Sequence, residues 1–283
     1  MWWQSTPRPR LFTASRPPPN EALAVPDIQG GGPSKAPLHP VPPGTPTTRA
    51  PGAFLKVRMA INLKSTKTLA ASGVKLLVYG QAGAGKTSLI PTLPTPVVLS
   101  AEGGLLSIAG ADVPFIEINS MDALREAYEW LTKSEEAKAF QSVAIDSISE
   151  IAEVVLNYEK KHNKDPRAAY GSMQEQMADV IRAFRDLPGR HVLMTAKLEK
   201  TQDEMGKVLY SPSMPGNKSG QALPYFFDEV LALRVEKDGD GNTQRALMCD
   251  GDGAWLAKDR SGKLGAWEGP DLGAVISKIG GEA

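Results

Sequence analysis

Lys75-Leu76-Leu77-Val78-Tyr79-Gly80-Gln81-Ala82-Gly83-Ala84-Gly85-Lys86-Thr87-Ser88 decides how this chain is read. A short apolar run feeds the pattern G-x-x-x-x-G-K-T, the spacing at which a glycine-rich loop turns its backbone N–H groups around phosphate oxygens. Residues 75–79 are predicted to form a buried strand, and 86–90 to open a helix that Pro91 cuts short. Gly80, Gln81, Ala82, Gly83, Ala84, Gly85, Lys86, Thr87 and Ser88 are therefore the candidate nucleotide-binding residues, for ATP or GTP. In such a loop Lys86 reaches the β and γ oxygens, and Thr87 offers its hydroxyl to Mg²⁺.

A phosphate-bound Mg²⁺ needs a further oxygen ligand nearby, and Ser142-Val143-Ala144-Ile145-Asp146-Ser147 supplies one. This apolar run ends in Asp146, placed to orient a water on the metal from a neighbouring strand end. Asp at that position also suits a plain helix cap. Hydrolysis requires in addition a group that positions the attacking water. Many oligomeric ATPases carry an acid directly after this Asp, whereas Ser147 stands here. Glu102 in Val97-Val98-Leu99-Ser100-Ala101-Glu102-Gly103-Gly104 is the candidate general base, because it ends another strand beside two permissive glycines. Glu150 is its competitor.

Outward from the loop, strand-like and helix-like segments alternate, as a parallel sheet with crossover helices requires. Strands are predicted at 75–79, 97–100, 114–118, 142–146, 191–196 and 229–236, and helices at 86–90, 121–132, 147–162, 172–187 and 271–279. Met121, Leu124, Tyr128 and Leu131 recur at helical spacing behind Asn119 or Ser120 as N-cap, a core-facing stripe. Residues 243–258 are predicted as an antiparallel addition, bounded by Asp-Gly turns at 238–242 and 250–253. The fold class is α/β, a mostly parallel sheet flanked by helices.

The loop, Glu102, Asp146-Ser147 and Ser219-Gly220-Gln221-Ala222-Leu223-Pro224-Tyr225-Phe226-Phe227 together resemble a RecA-like P-loop ATPase core. More narrowly, residues 60–283 resemble the phage-encoded nucleotide-binding proteins of that type, some of which are single-strand annealing recombinases. The resemblance implies an Mg-ATP-hydrolysing homo-oligomer that binds nucleotide between subunits and contacts single-stranded DNA through two mobile loops. It also implies a late basic pair, Lys258 or Arg260 in Trp255-Leu256-Ala257-Lys258-Asp259-Arg260, acting on a neighbour's nucleotide. His191-Val192-Leu193-Met194-Thr195-Ala196-Lys197 is the matching sensor strand, with Thr195 and Lys197 where the family carries an amide. The DNA segments would be 159–171, with Lys160, Lys161, His162, Lys164 and Arg167, and 199–221, with Lys200, Lys207, Tyr210 and Lys218. Two alternatives stay open: a DNA-independent motor or remodelling ATPase, and a non-hydrolysing nucleotide-dependent switch or scaffold.

Composition narrows the setting. Residues 1–58 hold seven Lys/Arg and two Asp/Glu, leaving 25 cations against 30 acids in the rest, so any nucleic-acid contact by the folded part must be local. Thirteen of the 23 prolines lie in the first 51 residues, which predicts a disordered Pro-rich leader over 1–58 and an ATPase domain over 59–283. The working protein is expected to start at Met59. Cys249 is the only cysteine, which excludes an intrachain disulfide and a cysteine-based metal cluster. No apolar run approaches a membrane span and no secretory signal is seen, so a cytoplasmic site, the host's if phage-encoded, is expected. Asp238-Gly239-Asp240-Gly241-Asn242 begins like a calcium loop, but Thr243 replaces the required Gly and Cys249 the required Glu, so it is read as a turn.

Overall fold

The alternation that the sequence predicts is organised around β1 (Lys75–Gly80), whose six residues are all buried. Leu76 and Val78 point into one apolar cluster, while Leu77 and Tyr79 point into another. A strand of alternating faces that is apolar on both must be covered on both. The computed structural model describes residues 73–281, without the side chains of 217–219, and all of them belong to the compact unit Ile61–Ala283. The expected leader and the start at Met59 lie outside the described residues.

Around β1 the chain adds β2 (Pro96–Ser100), β3 (Phe115–Glu117), β4 (Ser142–Asp146), β5 (His191–Gln202), β6 (Val208–Ser213), β7 (Glu229–Lys237), β8 (Thr243–Met248), β9 (Lys258–Asp259) and β10 (Trp267–Glu268). The sheet order is β10-β8-β7-β1-β5-β4-β2-β3. Every pairing from β7 through β3 is parallel, and β8, β9, β10 and β6 attach antiparallel. This is the expected α/β fold, a mostly parallel sheet flanked by helices, with the predicted antiparallel C-terminal addition.

Helices α1 (Met121–Lys133), α2 (Ile148–His162) and α3 (Pro166–Arg185) bury Leu124, Leu131, Ile151, Val155, Met173, Met177, Ile181 and Phe184 on one face of the sheet. Each such side chain contributes about 1.5–3 kcal/mol of transfer free energy. The opposite face is covered by Leu89, Ile90, Ile108 and α5 (Leu272–Gly280), through Leu272, Val275 and Ile276. Ser120 caps α1, its Oγ accepting the Ala123 N–H at 3.2 Å. A six-residue α4 (Asn217–Ala222) precedes β7.

Three of the predicted elements differ from the sequence expectation, and β6 and α4 have no counterpart in it. The segment after the loop is a 3₁₀ turn over Thr87–Thr92 containing Pro91, not an α-helix. Helix α3 starts six residues before the predicted 172, because Asp165 accepts the Arg167 N–H at 2.9 Å and Pro166 occupies the first turn, where its missing N–H costs nothing. Strand β5 runs past 196 to Gln202, since the polar stretch Lys197–Gln202 finds backbone partners on β6, from Lys197 opposite Ser213 to Gln202 opposite Val208. Its polar side chains gave no apolar signal to read.

Candidate functional site

The carboxyl ends of β1, β2, β4 and β5 converge on one another. Gly80 opens the loop where a Cβ would lie 2.9 Å from the Leu233 carbonyl oxygen, so only glycine lets β1 turn beside β7. Further along, Gly85 has φ +100°, a conformation that L side chains resist. The Lys86 ammonium donates to the Gly80 and Gln81 carbonyls at 3.0 and 3.1 Å. Burial pushes its pKa down, while the Glu102 and Asp146 charges pull against that shift.

Thr87 donates its hydroxyl to Asp146 Oδ2 at 2.7 Å, and Thr195 donates to Oδ1 of the same carboxylate at 2.5 Å. Asp146 is almost wholly buried, and both its oxygens are held at the end of β4. The Asp146–Ser147 peptide is cis. Ser147 caps α2, accepting the Glu150 N–H at 3.3 Å, and its hydroxyl donates to Glu102 Oε1 at 2.5 Å. The Ala101 N–H donates to the Asp146 carbonyl at 2.8 Å, fixing the chain that presents Glu102. Glu102 therefore stands exposed on a braced segment, beside a cleft of about 330 Å³ lined by Ser100, Ala101, Leu105 and Phe115.

Two hydrogen-bonded oxygen groups, Thr87 and Asp146, suit a hard cation. Among the described residues no cluster of three or more His, Cys, Asp or Glu could hold a metal. A cation here would take its remaining ligands from phosphate and water, which is how Mg²⁺ is held in phosphate-handling sites. Cys249 is buried, with its thiol pushed up to about 12 chiefly by burial, and offers neither a nucleophile nor a ligand.

Glu150 is not a second base candidate of equal standing: it pairs with Lys197 at 2.5 Å. Lys197 receives further order from Ser149, whose Oγ accepts its N–H at 3.0 Å and donates to the Ser213 carbonyl at 2.7 Å. The end of β5 is thus tied to α2 and β6 at once.

The late basic pair lies elsewhere. β9 pairs with β7 at Glu229 and Val230, and Glu229 is level with Leu76 at the start of β1, the end away from the loop. Lys258 donates to the Pro224 and Phe227 carbonyls at 2.7 Å each, and Arg260 pairs with Asp228 at 3.1 Å. Neither reaches the nucleotide loop of its own chain, and the Lys258 ammonium is committed to backbone carbonyls.

The two predicted DNA segments are not simple loops. Residues 159–171 form the tight corner between α2 and α3, with Lys160, Lys161, Lys164 and Arg167 exposed and Lys160 5.7 Å over the Tyr170 ring. Residues 199–221 hold the outer part of the β5–β6 hairpin and most of α4; the Lys218 side chain lies outside the described residues. They approach each other: a Cβ on Gly216 would lie 2.8 Å from Gln174 Nε2 and 3.7 Å from Tyr170 Cδ1. Sequence reasoning missed Arg245, whose Nε donates to the Ala84 carbonyl at 2.9 Å across 161 residues. Nothing in Thr243-Gln244-Arg245-Ala246 distinguishes it from a solvated strand residue.

A family model described as an AAA domain matches residues 72–261. The SPbeta prophage-derived uncharacterized protein YorG of Bacillus subtilis (strain 168) is 25% identical over 193 residues, which cover 66% of this chain and 57% of that protein. The chain thus spans little more than half the length of that curated relative. Among solved structures, a KaiC-like protein from Pyrococcus horikoshii OT3 is similar at 15% identity with a TM-score of 0.36, over 62% of this chain and 78% of its own. An ATPase from the type III secretion system of pathogenic bacteria is similar at 12% identity with a TM-score of 0.40, over 57% of this chain and 52% of its own.

Proposed function

We propose that this chain, which belongs to the AAA domain family and is a nucleotide-binding ATPase, hydrolyses Mg-ATP as a homo-oligomer and acts on single-stranded DNA in phage recombination or replication. The observation that carries the chemistry is the pair of contacts Thr87–Asp146 and Ser147–Glu102 on adjoining strand ends beside Lys86. Lys86 and the loop amides would hold the phosphates, Thr87 and Asp146 would hold Mg²⁺, and the bound metal would supply charge neutralisation on the phosphate oxygens. Glu102 orients the attacking water with Oε2, while Ser147 keeps Oε1 and so fixes the carboxylate.

The prophage-derived relative supports the phage setting, and the joined cationic segments support the DNA reading. Lys197 stands between the two functions: it pairs with α2 beside the phosphates, and the strand it sits on leads directly into the 199–221 segment. In an oligomer Arg260, exposed at the amino end of the sheet, is the better placed of the late basic pair to reach a neighbour's nucleotide, because Lys258 is already committed.

ATP turnover measured against a titration of single-stranded DNA tests this. Stimulation of turnover that fades as salt rises is expected, since phosphate contacts release counterions. DNA-independent turnover would leave a motor or remodelling ATPase, and negligible turnover with retained ATP binding would leave a switch or scaffold.

A further inference from the structure

We propose that Arg245 is a second cation of the nucleotide site, gripping the nucleotide at the end away from the phosphate that leaves. Arg245 lies on β8 opposite Val235, on the same face as Leu247 and Leu233. Those two leucines pack in the cluster that contains Ala84. Two residues beyond that core, the Arg245 side chain emerges into solvent beside the loop. Its Nε bond to the Ala84 carbonyl anchors the guanidinium, and the space a Cβ would take at Gly85 holds the arginine: that Cβ would lie 3.2 Å from Nε and 3.5 Å from Cδ. The two Nη groups have no protein partner among the described residues. A planar fork with one edge anchored and the other free, next to the amides that wrap phosphate, is suited to a bidentate phosphate contact.

The direction follows from sheet order and rests on the proposed roles of Glu102 and Asp146. Those acids and Lys197 stand on or just beyond β2, β4 and β5, all on one side of β1, whereas β7 and β8 lie on the other. The scissile phosphate belongs on the first side. A nucleotide seated on the loop extends its remaining portion toward the second, where Arg245 stands and Val235 offers an exposed apolar side chain.

The test compares Arg245→Gln with Arg245→Lys in the full chain. Gln keeps an N–H donor for the Ala84 carbonyl but no charge; Lys keeps the charge. Calorimetric ADP affinity and the KM for ATP are expected to weaken about tenfold in the Gln variant, with partial recovery in Lys and kcat within about twofold of the parent. ADP affinity equal to the parent in Gln would reduce Arg245 to a loop support and overturn the proposal. A tenfold fall in kcat with intact ADP affinity would place Arg245 at the scissile end and overturn its direction. Glu102→Gln, assayed alongside, separates the two readings: retained turnover there sinks the assignment of the hydrolytic end and the direction drawn from it, whereas the ADP measurement judges the Arg245 contact by itself.

Discussion

Two lysines in this molecule make the same pair of bonds and stand at opposite ends of the same sheet. Lys86 donates to the carbonyls of Gly80 and Gln81, and Lys258 to those of Pro224 and Phe227. The carbonyls under Lys86 belong to the buried end of β1 and to exposed Gln81, where the chain opens to solvent, with Glu102 and Asp146 acting on its charge. Those under Lys258 precede β7, where Phe227 is fully buried. Each end also has its acid. Glu102 is exposed and steadied by one serine, whereas Glu229 is sealed, accepting the Arg260 and Ser261 N–H groups at 3.1 and 3.2 Å. Burial pushes the Glu229 carboxyl up to about 8, with the hydrogen bond and charge of Asp259 adding to it. The lesson is that a charged residue's capacity for chemistry depends on whether its surroundings leave it a free side, rather than on the number of bonds it makes.

The sharpest way to break the comparison is to neutralise each acid. Glu102→Gln is expected to lower ATP turnover by about a hundredfold or more while ATP binding and Tm persist, as loss of a positioned base does. Unchanged turnover would remove Glu102 from the chemistry. Glu229→Gln should leave turnover intact and change the pH dependence of stability instead. Because the folded-state pKa is raised, the contribution of Glu229 is fully present below about pH 4.5 and is lost as pH rises toward 8. Between pH 6 and 8 the parent should lose about 2 kcal/mol that the Gln variant does not, read by denaturant melts at the two pH values. Parallel pH profiles for parent and variant would show that Glu229 does not titrate there.

The smallest effect concerns the lysines. Lys258→Met strips a donor from two partly buried carbonyls, which should cost about 1–2 kcal/mol and lower Tm by about 2–8 °C, with turnover retained. Lost turnover at unchanged Tm would instead return Lys258 to a neighbour's active site. For Arg260, mixing Arg260→Ala with Lys86→Ala subunits, alongside each alone, reads the same question across an interface; activity unaffected by removing Arg260 excludes that finger.

The legible parts of this protein were those whose physics is local. Strands 142–146 and 75–79 were read to within one residue, because a short apolar run bounded by Asp or Gly has few other solutions. Ser120 was readable as a cap for the same reason. Strand β6 was not, since Val208–Ser213 carries no apolar alternation and exists through its pairing with β5. The first turn of α3 was missed because Pro166 reads equally as a breaker and as a first-turn residue, and only the Asp165 cap decides between them.

By itself the sequence determined that a glycine-rich G-x-x-x-x-G-K-T loop follows a buried strand, that Thr87 and Asp146 are candidate oxygen ligands, and that Glu102 ends the next strand along the chain. Backbone dihedral demands and apolar periodicity are written residue by residue, so these could be read without neighbours. Only the tertiary structure decided that Ser147 braces Glu102, that Lys258 is held away from its own chain's loop, and that Arg245 comes to Ala84 from 161 residues away. Those facts depend on which strands lie side by side, and strand order is set by the burial of both faces of the whole sheet, which no local stretch of sequence records.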